Sequence, residues 1–203
     1  MNPTREDGRG RPPVAGPVCP ACREPLAVAA QVCASCGFTG GDTMTMFPDP
    51  APPFMPLLDA AGIWNHEDVR KIEEARRKLR GTHPQFQWHV CSVMLPPGTS
   101  LPLFGFWMLN ACPLYAGETA QERAWAVLLL IDARGSRAAV IPGYSAEAWL
   151  GDADWVEALS AMSVSWKAGH AGGAVLRFFE TSARLLNRSW KKRGLRHSER
   201  FHS

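Results

Sequence analysis

The chain has 203 residues, 46% of them hydrophobic and 20% charged, with eight Trp and a formal net charge of +3. That composition excludes a disordered protein and a generally basic one, and it predicts one domain of roughly 150 residues with an appendage. Most of the excess charge falls after Trp190, where Lys191, Lys192, Arg193, Arg196 and Arg200 face only Glu199.

Residues 1–17 are rich in Gly, Pro and Arg and predict a disordered segment, with charges and prolines where a secretory signal needs an apolar run. The longest apolar run, Ala124 to Ile131, spans eight residues, against the roughly 20 that cross a bilayer as a helix. The expectation is a cytoplasmic protein with no transmembrane segment. In a reducing compartment, six cysteines read as metal ligands or free thiols before they read as disulfides.

Four of those cysteines predict a zinc ribbon over residues 18–42. Cys19-x2-Cys22 is followed by ten residues and then by Cys33-x2-Cys36. Zinc favours four thiolates in a tetrahedron, and each C-x2-C turn brings two sulfurs to one ion while its own N–H groups donate to them. A closed shell leaves no place for water, so Zn2+ here is structural and supplies the folding free energy of a segment too short to have its own core. The alternatives are a pair of redox dithiols and a degenerate ribbon that has lost its metal. Gly37 suits the tight second turn, whereas Arg23 holds the matching place in the first, which predicts a less regular turn there. The ribbon has few charges, which favours protein contact or capping over nucleic acid.

Residues 43–56 predict a stiff linker, because Phe47 to Pro56 holds five prolines in ten residues. Beyond it, residues 57–190 read as one α/β domain. Asn65 caps a predicted helix running to about Arg80 and ended by Gly81, with Val69, Ile72, Ala75, Arg76 and Leu79 on one face. Gln85 to Leu95 alternates as a strand does, with Phe86, Trp88, Val90 and Met94 on one side and His89, Cys91, Val93 and Leu95 on the other. Leu101 to Leu109 predicts a short buried helix, followed by a polar loop from Ala116 to Arg123. Ala124 to Ile131 is apolar throughout, as in a strand covered on both faces, and Asp132 to Gly135 turns it into a hairpin with Ser136 to Ile141. Two helices follow, about Asp152 to Lys167 and about Gly172 to Arg193, the second with Val175, Leu176, Phe179, Leu185 and Leu186 facing a core. Residues 191–203 form a basic tail.

The order of these segments resembles the TPM domain family. Leu58-Asp59-Ala60-Ala61-Gly62-Ile63 before a charged helix is similar to that family's opening. The strand Val127 to Asp132, the return strand Arg137 to Val140, Pro142-Gly143-Tyr144 and Trp149-Leu150-Gly151-Asp152-Ala153 look like its central block, and Trp166-Lys167-Ala168-Gly169 with the next helix like its end. The resemblance covers about Pro56 to Arg188. It implies a three-layer α/β/α sandwich with a mixed central sheet, in a family of bacteria and plant plastids linked to photosystem II repair, weak acid-phosphatase activity and divalent-cation binding. The chain departs from the family at Arg123 to Ala126, where Asn and Gly are favoured, and at Ser145 and Ala146, where a Gly is favoured.

A Ca2+ or Mg2+ site would need oxygen ligands, and the carboxylates at matching positions are Asp59, Asp132, Asp152 and Asp154, all at predicted element ends that could meet on one rim. Asp152 equally reads as a helix cap and Asp132 as a turn residue. The sequence contains no phosphate loop of the G-x-x-x-x-G-K type, no G-x-S-x-G and no H-E-x-x-H. His66, His83, His89 and His170 are scattered, and Cys91 and Cys112 read as small buried hydrophobes. The leading expectation is a non-catalytic binding or scaffold protein whose partner is another protein. The alternatives are a divalent-cation-dependent, acid-phosphatase-like hydrolase and a nucleic-acid binder using the ribbon and the basic tail, which would also suit an anionic membrane surface.

Overall fold

The computed structural model describes residues 18–27, 30–47, 51, 55–113 and 119–199, with only the backbone at 120 and 194–199. The predicted disordered segment 1–17 and the end of the tail, 200–203, lie outside the described residues.

Four strands form one mixed sheet in the order β1 (Leu57–Asp59), β2 (Gln87–Val93), β3 (Ala126–Asp132), β4 (Arg137–Pro142). The first three are parallel, and β4 returns antiparallel to β3 through the hairpin at Ala133 to Ser136. Three helices cover one face: α2 (His66–Thr82), α6 (Asp152–Lys167) and α7 (Ala171–Glu199). The other carries α3 (Leu101–Ala111), and α1 (Asp42–Met46) packs on α3. Two short helices, α4 (Ala120–Ala124) and α5 (Tyr144–Glu147), flank β3 and β4. The architecture is an α/β sandwich with helices on both sides of a mixed sheet.

Pleating divides the core in two. On β2, Phe86, Trp88 and Val90 face α2, α6 and α7, where Trp88 meets Phe178 and Phe179 edge-on at 6.3 and 5.9 Å. Cys91, Val93 and Leu95 face α3. β3 divides likewise, with Val127, Leu129 and Ile131 on the first side and Leu128 and Leu130 on the second. Burial on both faces is why this strand reads as an unbroken apolar run.

Several boundaries differ from the predicted ones for local reasons. Asn65 caps α2 as expected, its side chain accepting from the Asp68 N–H at 2.9 Å. Gly81 does not end that helix, which continues to Thr82, and the N–H of His83 closes the last turn on the Leu79 carbonyl. β3 begins two residues later than predicted, because Ala124 completes α4, whose start is fixed by a capping box between Thr119 and Glu122. The polar loop thus holds a turn of helix. α6 spans Asp152–Lys167 as predicted. α7 runs six residues beyond Arg193, through part of the predicted tail.

The largest difference lies in the predicted linker. Its first residues are helical, with α1 at Asp42–Met46, and Phe47 leaves that helix to pack on α3. The prolines at 48, 50, 52 and 53 lie outside the described residues.

Candidate metal centre

Both C-x2-C segments fold into the same turn. In the first, the Cys19 N–H donates to the Glu24 carbonyl at 2.8 Å and the Arg23 N–H to the Cys19 carbonyl at 2.9 Å. In the second, the Cys33 N–H donates to the Phe38 carbonyl at 2.9 Å and the Gly37 N–H to the Cys33 carbonyl at 2.8 Å. A single antiparallel bridge closes each, Val18 to Pro25 and Val32 to Thr39. The expected irregularity of the first turn is absent. Arg23 takes the left-handed conformation at φ 68°, beside 74° for Gly37, so the turn geometry overrides the residue's preference.

The turns bring the four sulfurs together. Sγ of Cys19 and Cys36 are 3.8 Å apart, those of Cys22 and Cys33 are 3.7 Å apart, and all four lie within 4.8 Å of one another. A zinc–sulfur bond of about 2.3 Å gives a tetrahedron with edges of about 3.8 Å, so the quartet has the dimensions of a four-thiolate shell. Disulfides need about 2.05 Å and are not formed. Cys19 and Cys33 are buried and Cys36 is exposed, so the cluster opens to solvent on one side.

Backbone N–H groups set the acidity of the thiols. Those of Cys36 and then Ser35 point at the Cys33 sulfur and lower its pKa to about 6. The Glu24 N–H favours a Cys22 thiolate, but loss of solvent and the three other sulfurs outweigh it and push Cys22 up to about 12. One thiolate forms readily and the next meets its repulsion; a dication removes that conflict. A metal ion held by the quartet would also favour folding here, since a segment this short buries little of its own and metal binding adds to its folding free energy.

The carboxylates are arranged differently. Among the described residues, the cysteine quartet is the only group of three or more Cys, His, Asp or Glu whose ligand atoms gather as a metal requires. Asp59 accepts from the N–H groups of Ile63 and Trp64 at 3.1 and 3.0 Å and from the Ser92 hydroxyl, fixing the entry to α2. Asp132 accepts from the Leu95 N–H at 3.2 Å and from Arg137 at 2.6 Å. Burial raises the Asp132 carboxyl, but Arg137 and the N–H groups of Leu95 and Gly135 hold it below its ordinary value.

Asp59 and Asp132 do reach the same end of the sheet, since Asp59 pairs with Ser92 and Asp132 with Val93. One strand lies between them, a separation of roughly 10 Å. They also point to opposite faces, Asp59 in phase with Leu57 and Asp132 with Leu130. Asp152 and Asp154 are farther still. Met162 and Trp166 of α6 line one cleft with Ile131 and Ala138 at the Asp132 end, so Asp152 lies about 15 Å back along the helix. Asp154 caps α6 through the Gly151 N–H at 3.1 Å and pairs with Arg188 at 3.3 Å. The expected common rim is not formed, because parity and helix length separate its members.

No protein-family model matches the chain, and no curated protein sequence matches it. Solved structures do. The chain shares its fold with two N-terminal domains. One is the solution NMR structure of the N-terminal domain of the cg2496 protein from Corynebacterium glutamicum, with a TM-score of 0.50 and 15% identity over 64% of this chain and 78% of that one. The other is the solution NMR structure of the N-terminal domain of a protein from P. gingivalis, with a TM-score of 0.52 and 15% identity over 75% and 93%. At such identities the likeness is one of fold.

Positions where the chain departs from the TPM pattern are used for packing. Arg123 holds the end of α3 by donating to the carbonyls of Asn110 and Cys112, and Trp125 meets Phe86 edge-on at 5.2 Å. Cys91 and Cys112 are fully buried, and burial pushes their thiols up to about 12 and about 11, which keeps them protonated and inert. His83 is buried between α2 and α7, where its Nδ1 accepts from the Trp190 indole at 3.0 Å. No helix among the described residues is long and apolar enough to cross a membrane. Sequence reasoning missed Phe38 and Phe47. The available signal was their place after the second cysteine pair together with a helix, α3, that is apolar around nearly its whole circumference.

Proposed function

We propose that this chain is a non-catalytic binding protein of the cytoplasm, in which a structural zinc ribbon is attached to a TPM-like α/β domain and the partner is another protein. The observation that carries this reading is the sulfur quartet, since four thiolates within 4.8 Å of one another are enough to fill a tetrahedral shell and leave a bound ion no position for water. A metal so enclosed holds a surface in shape and activates no water. The carboxylates weigh in the same direction, since Asp59, Asp132 and Asp154 are engaged in turns, caps and ion pairs. The order of motifs from Leu58 to Gly169, together with the shared fold, supports the TPM likeness.

A hydrolase reading would need a cation and cationic groups converging on a phosphoryl. Purified protein assayed on a generic phosphomonoester with Ca2+ or Mg2+ should show no turnover. Cation-dependent turnover lost in Asp152→Asn, an exposed position whose change leaves the core intact, would restore the phosphatase reading. The nucleic-acid reading joins the ribbon to the basic stretch at Lys191 to Arg193, but the ribbon packs on the α3 side and α7 covers the opposite face of the sheet. Salt-dependent binding of DNA or RNA that disappears on deletion of 191–203 would count in its favour.

A further inference from the structure

α3 is apolar around nearly its whole circumference (LPLFGFWMLN). Its inner side packs on β3 and β4, so tightly at Gly105 that an added Cβ would meet Ile141 Cδ1 at 2.4 Å. A helix apolar on all sides needs a second cover, and residues that follow the second cysteine turn provide it. Phe38 meets Phe106 edge-on at 6.2 Å. Phe47 meets Phe104 edge-on at 5.2 Å and leans on Trp107 at 5.3 Å.

A continuous set of bonds joins those rings to the sulfurs. The Phe38 carbonyl accepts from the Cys33 N–H, and Thr39 pairs with Val32. The Thr39 N–H donates to Asp42 at 2.7 Å, which starts α1, and the Phe47 N–H ends that helix on the Thr43 carbonyl at 3.1 Å. α1 has five residues, too few to persist alone, so it stands only between a fixed turn at one end and a seated Phe47 at the other.

We propose that metal occupancy of the cysteine quartet governs whether the outer face of α3 is covered. With zinc bound, Phe38 and Phe47 are held on Phe104, Phe106 and Trp107. With zinc removed, the second turn loses its closure, α1 unwinds, and those three rings are uncovered. The proposal rests on the zinc reading above and adds to it a metal-dependent change of surface on the α/β domain.

The test uses the full chain, isotope-labelled so that Phe and Trp rings are observed by NMR, titrated with a chelator while released zinc is counted. Through-space signals between Phe47 and Trp107 and between Phe38 and Phe106 should vanish in step with zinc release and return when zinc is added back. Those of Trp88 with Phe178 and Phe179, in the opposite core, should persist. Signals at Phe47 and Phe38 that survive complete zinc release would overturn the proposal and leave the zinc site standing. Protein that retains no zinc after reconstitution would overturn both. Phe47→Ala at saturating zinc should bind more of an apolar dye than the zinc-loaded wild type and less than the chelated wild type, and dye binding equal to that of the zinc-loaded wild type would sink the idea.

Discussion

At the scale of single residues, the two cysteine turns differ at one informative position. Gly37 adopts φ 74° freely, whereas Arg23 adopts 68° against the preference of its Cβ. A Cβ added at Gly37 meets nothing within 4 Å, so Gly37→Ala tests backbone strain alone. It should weaken zinc binding about fivefold, or ~1 kcal/mol, and Arg23→Gly should strengthen it by a similar factor, both read by competition with a chromophoric chelator. Acidity gives a second residue-level prediction. Zinc must displace the proton from every thiol that still carries one, so affinity rises with pH. Because Cys33 titrates near 6, one more proton is displaced below that pH than above it. The slope of log affinity against pH should therefore steepen by about one below pH 6, and a constant slope would show that Cys33 is not the early thiolate.

Elements are joined by close approaches that can be tested by adding a methyl group. At Gly143 a Cβ would fall 2.5 and 2.6 Å from the carbonyl oxygens of Arg123 and Ala124, which are backbone and cannot rotate away. At Gly105 the nearest atoms belong to the end of the Ile141 side chain, which can change rotamer. Gly143→Ala should destabilise by about 3 kcal/mol and Gly105→Ala by about 1 kcal/mol in urea unfolding. Equal losses would mean that α3 cannot adjust over β4. Between α2 and α7, His83 accepts from the Trp190 indole at 3.0 Å with the two rings nearly parallel, and Trp149 packs on Trp190 under Arg193. Burial holds the His83 imidazole below its ordinary value, against the Asn187 side chain, which favours the charged form. A group lowered by folding contributes fully above its unfolded value of about 6.5, and that contribution is lost as pH falls through the folded one. Thermal stability should decline below about pH 6.5 in the wild type and decline less in His83→Gln.

For the whole molecule, metal and core support different parts. Most of the sheet core lies between β2, β3 and the helices α2, α6 and α7, on the face away from the ribbon. Chelation, or Cys33→Ser, should release one zinc and unfold residues 18–47 while the far-ultraviolet signal of the remaining helices persists. A single cooperative loss of both would show that the cover on α3 is part of the global fold. The sequence by itself determined whatever depends on spacing and period along the chain: the cysteine turns, the cap at Asn65, the bounds of α6, the two-sided burial of β3 and the α/β class. Those features are set by contacts within a few residues, or by a periodicity that records which faces are buried. Only the tertiary structure decided which distant residues meet. Asp59 and Asp132 sit at the same end of the sheet, yet strand parity turns them to opposite faces, and the length of α6 carries Asp152 and Asp154 away from both. The cover on α3 was undetermined for the same reason, since an all-apolar helix states that it needs a second neighbour without stating which, and Phe38 and Phe47 become that neighbour only once the sulfurs have fixed where the chain leaves the ribbon.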